Sequence, residues 1–108
     1  MFTPHAADGF VEAAPGVQRK TLCFGERTTL TEFRLTRGGR LPSHSHPHEQ
    51  TGYLVSGRLA LTIGAETHDV LPGDGWCIPP DVNHGALVVE DAVAIEVFSP
   101  VREGFLPA

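Results

Sequence analysis

The chain lacks the marks of several large protein classes. No stretch approaches the ~18 consecutive apolar residues of a membrane span, and the first residues, MFTPHAADGF, lack the charged-then-apolar order of a secretory signal. No lysine/arginine run exceeds the pair Arg19-Lys20, and 13 acidic against 8 basic side chains leave a net charge of −5. That balance excludes a basic nucleic-acid footprint. The expectation is a soluble, cytoplasmic protein that engages neither nucleic acid nor membrane. Cysteine is scarce as well: Cys23 and Cys77 lie far apart, each inside an apolar run. The two could pair, but in a reducing compartment buried free thiols are expected, with no part in the chemistry. Helical periodicity is also missing, because no window of eleven or more residues keeps a helical period without meeting Gly or Pro.

What is present is a chain of 108 residues with 12 glycines, 9 prolines and 41% hydrophobic residues, enough for one core and one domain. Residues 1–15, with Pro4, Gly9 and Pro15, read as an irregular arm, and residues 16–108 as the folded body. From Val17 onward, short β-branched and aromatic segments are cut by turn signals every eight to twelve residues. Strands are expected at Val17–Phe24, Thr28–Thr36, Ser43–His46, Gln50–Ser56, Arg58–Ile63, Thr67–Leu71, Gly75–Ile78, Gly85–Val89 and Val93–Ser99. The class is all-β. Leu59, Leu61 and Ile63 share one strand face, and Val93, Ile95 and Val97 share another. Many short antiparallel strands in a small chain must hide their edges, which a closed barrel or two-sheet jelly roll does.

The histidines carry the chemistry. His44, His46 and His48 fall within five residues, while His5, His68 and His84 are dispersed. On an extended strand, residues two apart face the same way about 6–7 Å apart, so His44 and His46 can converge on one ion at ~2.0–2.1 Å. The even-numbered face continues to Gln50 if the next strand keeps register. His84, delivered by the rigid Pro79-Pro80 loop, closes the set. His48 reads as a surface or supporting residue, and His5 and His68 as surface.

These spacings resemble the two motifs of the cupin superfamily. The first, glycine, five residues, His-x-His, three residues, an acidic or amide ligand, six residues and glycine, is met by Gly38, His44, His46, Gln50 and Gly57. The second is met by Gly73, Pro79 and His84, although Asp81 stands where a glycine is usual and Val88 where an asparagine is usual. The resemblance implies a cupin double-stranded β-helix, a jelly-roll barrel holding a metal on His44, His46, Gln50 and His84. Most members have glutamate where Gln50 stands. Glu49 lies one residue too early, on the opposite strand face, so Gln50 is the preferred ligand. Three imidazoles and an amide leave the charge of a divalent ion uncompensated, which favours an anionic ligand or a bound hydroxide. Donor type does not choose among Mn, Fe, Co, Ni and Zn.

The charge is uneven along the chain: residues 61–108 carry eight acidic side chains and one basic, Arg102. If Val93, Ile95 and Val97 pack against a neighbouring layer, Ala94, Glu96 and Phe98 face the barrel interior. A buried acid is costly unless paired or used. Arg102 could return over the mouth to pair with Glu96, or to bind a substrate carboxylate. From Gly16 to Pro107 the chain resembles the short cupins of pectin and alginate breakdown, which convert 4,5-unsaturated uronates to their linear keto form. The carrying segments are His-Ser-His-Pro-His-Glu-Gln with Tyr53 and Gly57, Ile78-Pro79-Pro80 to His84-Gly85-Ala86, and Phe98 to Glu103. The resemblance implies catalytic roles for Glu96, Phe98 and Arg102, with Glu96 one methylene longer than the group's aspartate. The expected partner is a small anion, a sugar acid, and the expected assembly a homodimer that buries the outer sheet face. An iron-dependent dioxygenase and a non-enzymatic anion-binding module are the competing expectations.

Overall fold

Turn residues cut the chain into extended segments, which the computed structural model, describing residues 1–106, arranges as eight strands. These are β1 (Val11–Ala14), β2 (Val17–Phe24), β3 (Thr29–Leu35), β4 (Arg40–His44), β5 (Glu49–Ile63), β6 (Glu66–Val70), β7 (Gly75–Ile78) and β8 (His84–Ser99), followed by one 3-10 turn at Glu103–Phe105. Every pairing is antiparallel, in the order β1-β2-β3-β8-β5-β6, with β4 on β8 and β7 on β5. No helix among the described residues is long and apolar enough to cross a membrane.

Two long strands frame the barrel. The first half of β5 pairs β7 and the last residues of β8, while its second half pairs β6 and the first residues of β8. The sequence reading splits each of these strands in two, at Ser56-Gly57 and at Glu90-Asp91. The structure instead bends both strands there: the β5/β8 register shifts between Leu54 and Leu59, the mark of β-bulges. Gly57 has φ +87° and so adopts a conformation that side chains resist, and a Cβ on it would lie 2.2 Å from the Asp91 carbonyl oxygen. The turn signals are real, but they turn a strand without ending it.

Alternation then sorts the side chains. On β3, Thr29, Thr31, Phe33 and Leu35 point inward and are buried; on β8, Ala92, Ala94, Glu96 and Phe98 do so. Val17, Leu54, Leu59, Leu61, Val70 and Val88 complete an apolar floor, leaving the polar inward residues at the opposite end of the barrel. Leu59, Leu61 and Ile63 share one face as expected, and it is the core face, with Ile63 only partly buried. Val93, Ile95 and Val97 stay half-buried on the outer face, where no complete second layer of the chain covers them.

Three local expectations change. Residues 11–14 of the supposed irregular arm form β1, because Val11 and Glu12 find partners in Arg19 and Gln18. Strand β4 begins earlier and ends at His44, so His46 lies in the following loop. The cysteines are free, but Cys77 is exposed and Cys23 half-buried. The period of β7 turns Trp76 and Ile78 inward and therefore Cys77 outward.

Candidate metal centre

The site sits at the polar end of the barrel. His44 closes β4 and stands in register with His84, the first residue of β8. His46 reaches the same point from its loop, whose carbonyl is fixed by a hydrogen bond from the Asp81 N–H (2.8 Å). Asp81 has φ +65°, so this aspartate keeps the left-handed conformation that a glycine usually supplies there. One donor atom from each of His44, His46 and His84 falls within 4.8 Å of the others.

The imidazoles are oriented by their backbones. Nδ1 of His44 meets the Pro42 carbonyl at 2.9 Å, Nδ1 of His46 the His48 carbonyl at 3.0 Å, and Nδ1 of His84 the Val82 carbonyl at 2.9 Å. A carbonyl only accepts, so Nδ1 carries the proton in all three and Nε2 keeps its lone pair for an ion. His84 Nε2 is buried without any hydrogen-bond partner. Burial holds His84 below the usual imidazole range, and burial, the charge of Arg102 and the cost of protonating two adjacent rings together do the same to His46. Both rings are thus neutral near pH 7. An orphaned, neutral, buried lone pair fits a metal and is costly without one.

Gln50 and Glu49 separate as alternation requires. Gln50 is buried and faces the histidines; Glu49 is exposed and accepts a weak bond from Cys77 Sγ at 3.8 Å. Gln50 Nε2 donates to Glu96 Oε1 (2.5 Å), which turns its own Oε1 to within 3.0 Å of His46 Nε2. With His46 neutral and protonated on Nδ1, both of those atoms are acceptors. Two donors bonded at ~2.1 Å and right angles to one cation stand about 3 Å apart, so the spacing fits a shared ion.

Behind Gln50 lies a buried carboxylate. Glu96 Oε1 also accepts the indole N–H of Trp76 at 3.0 Å. Burial pushes Glu96 above the usual carboxylate range, opposed by the bonds from Gln50 and Trp76 and by the charge of Arg102. Trp76 reaches Glu96 across β5, where Gly52 is in register with both; a Cβ on Gly52 would lie 2.2 Å from the indole. The missing side chain is the path of the ring.

Phe98 is fully buried, its ring edge-on to His46 at 5.9 Å. The Arg102 guanidinium lies 4.7 Å from the Phe98 ring centroid and 4.1 Å from that of Phe105, while its backbone N–H donates to Thr29 Oγ1. Among the described residues, the ion pairs join Arg34 to Glu32, Arg58 to Asp69 and His68 to Glu66, so a direct Glu96–Arg102 pair is not formed. His44, Gln50, His84, Glu96, Phe98 and Arg102 all line one cavity of about 390 Å³. Such a volume falls within the range of small-molecule sites.

Comparison with known proteins agrees with this geometry. The cupin-domain family profile matches residues 31–99, which span both histidine segments. The chain belongs to the cupin family. Among solved structures, this cupin is similar to KdgF from Halomonas sp., at 30% identity, a TM-score of 0.92 and 98% coverage of each chain. It is also similar to an RmlC-like cupin from Shewanella frigidimarina, at 27% identity and a TM-score of 0.91, covering 97% of this chain and 95% of that one. A protein of Streptomyces coelicolor is 33% identical over 69 residues, a match spanning 63% of this chain and 66% of that protein.

Cupin motifs thus lead to the four residues clustered at the centre, and the last strand leads to Glu96, Phe98 and Arg102. His48 supplies a carbonyl to His46, and His5 and His68 are exposed. Two residues escape the sequence reading. Trp76, the only tryptophan, gives no sign of its reach because Gly52 looks like an ordinary strand glycine. Arg19, on the inward face of β2, is visible only once Val17 is known to be buried.

Proposed function

We propose that this cupin is a metal-dependent enzyme that converts 4,5-unsaturated uronates to their linear keto form. His44, His46, Gln50 and His84 would hold a divalent ion, one of Mn, Fe, Co, Ni or Zn, and the ion would supply Lewis-acid polarisation of substrate oxygens. The observation that carries the reading is the buried Glu96, hydrogen-bonded to Gln50 and facing the same cavity as the Arg102 guanidinium, which forms no ion pair among the described residues. The resemblance of its motif segments to the short uronate-linearising cupins, together with its likeness in fold to KdgF from Halomonas sp., supports it.

The chain's own groups suit the reaction, which needs proton transfer to a polarised enol ether, addition of water and collapse of the resulting hemiacetal. Glu96 is the proton carrier. Both of its hydrogen bonds fall on Oε1, so Oε2 is the oxygen that gives and takes the proton. Burial favours the protonated acid that such a step consumes. Arg102, held by stacking and by Thr29, presents its fork to the uronate carboxylate. Phe98 forms the apolar wall for the sugar face and excludes water from Glu96.

The test is metal analysis of the purified protein with a turnover screen against unsaturated galacturonate. About one divalent ion per chain is expected, removed by chelator together with turnover. Glu96→Gln is expected to lower kcat by at least ~100-fold with metal retained, and Arg102→Ala to raise KM. Strict oxygen dependence with iron would instead indicate a dioxygenase. Turnover unchanged in both variants would remove the assigned roles, and binding of uronates without turnover would leave an anion-binding module.

A further inference from the structure

Arg102 is not the only cation in the cavity. Alternation along β2 places Arg19 on the inward face, two residues after the fully buried Val17 and in register with Phe33. Its guanidinium lies 3.9 Å from the Phe105 ring centroid, against 4.1 Å for Arg102, so one ring carries both cations. Phe105 is itself anchored: its carbonyl accepts a hydrogen bond from Thr21 Oγ1 at 2.5 Å, and its ring packs on Phe98 (5.3 Å) and Phe33 (6.3 Å). Burial disfavours the charged form of Arg102, the charge of Glu96 favours it, and the nearby charge of Arg19 disfavours it again. Glu12 borders the same cavity, but no carboxylate among the described residues comes within 4.0 Å of either guanidinium. Two like charges gathered on a fixed aromatic ring, facing a cavity and without a carboxylate in contact, repel each other, and an anion bound beside both relieves that repulsion.

We propose that Arg19 and Arg102 form a two-guanidinium clamp that receives the carboxylate of the cavity's ligand, with Arg19 setting the preference for acids over neutral sugars. The assignment rests on the reading of the cavity as a sugar-acid site, and adds a residue from β2 to those supplied by the last strand. Stacking on the aromatic ring restrains both planar forks at the cavity wall, so little side-chain freedom is lost on binding. A carboxylate has two oxygens with four lone-pair positions, enough for both forks.

Isothermal titration of the metal-loaded full-length protein tests this with galacturonate, galactose and inorganic phosphate. Galacturonate is saturated, so its binding does not depend on the proposed reaction. Arg19→Gln is expected to weaken galacturonate binding at least about tenfold while leaving galactose unchanged, and Arg19→Lys, which keeps the charge without the fork, about threefold. Galacturonate binding by Arg19→Gln equal to wild type would overturn the clamp, as would an equal loss for galactose, which would mean a packing role alone. Phosphate binding tighter than galacturonate would overturn the carboxylate assignment. Should Arg19→Gln fail to fold, the Arg19→Lys comparison decides, and equality with wild type there rejects the clamp. Arg19-dependent binding without turnover of unsaturated uronates would leave the clamp standing and remove the proposed reaction; turnover with a KM indifferent to Arg19 would do the reverse.

Discussion

Single residues decide what the buried carboxylate can do. Glu96 is tolerable inside the barrel because two donors meet one of its oxygens, and the longer of those links depends on an absent side chain at Gly52. Trp76→Phe keeps the ring and deletes the donor. A hydrogen bond to a charged group is worth about 1.5–3 kcal/mol, so the expected outcome is a kcat roughly tenfold or more lower, with KM and metal content unchanged. Gly52→Ala is expected to produce the same kinetic loss by pushing the indole aside. As Trp76 is the only tryptophan, a shift in emission wavelength in Gly52→Ala checks the displacement. Unchanged emission and kcat would show that the N–H is not needed. At this scale the motif histidines were legible because ligand spacing is local. Trp76 was not, because its contact is made across two strands.

Among the elements, β5 and β8 make the site by serving both halves of the barrel. Each bends at the place where turn chemistry appears in the sequence, so β8 can begin with His84 beside His44 and end with Glu96 and Phe98 beside Gln50. The bend needs Gly57. Gly57→Ala adds an unfavourable backbone conformation, about 1–2 kcal/mol, and a clash with Asp91 and Ala92 worth about 1–3 kcal/mol. At ~4 °C per kcal/mol for a domain of this size, a fall in Tm of about 8–20 °C is expected by calorimetry. A change below about 3 °C would show that the bulge has another way to form. Strand existence was legible here through alternation and turn residues. Strand continuity was not, because a glycine that ends a strand and one that bends it look alike.

For the whole molecule, the outer face of the β3-β8-β5 sheet is the unbalanced surface. Leu30, Val93, Ile95 and Val97 are half-buried there, and Tyr53 and Val55 remain 51% and 49% exposed. The N-terminal segment lies over the β2–β3 edge, where Thr3 bonds the Leu22 carbonyl, Lys20 the Ala6 carbonyl, and Phe10 lies against Arg34, and it leaves Tyr53 and Val55 exposed. A second copy of the chain is the expected cover. Light scattering should give twice the 11.6 kDa chain mass, and a double variant, Tyr53→Glu with Val55→Glu, should give the monomer with its metal retained. A wild-type monomer at all concentrations would reject the dimer.

The sequence by itself determined the all-β class, the cupin family and the identity of the histidine cluster, since period-two alternation, turn chemistry and ligand spacing are properties of neighbouring residues. It also showed that the net charge of −5 says less than its distribution, with Arg102 alone in an acidic half. Only the tertiary structure decided that Gln50 joins His46 to Glu96, that Trp76 crosses Gly52, and that Arg19 shares Phe105 with Arg102. Those contacts join strands distant in sequence, and their geometry is set by register and by the bends of β5 and β8, which no local pattern encodes.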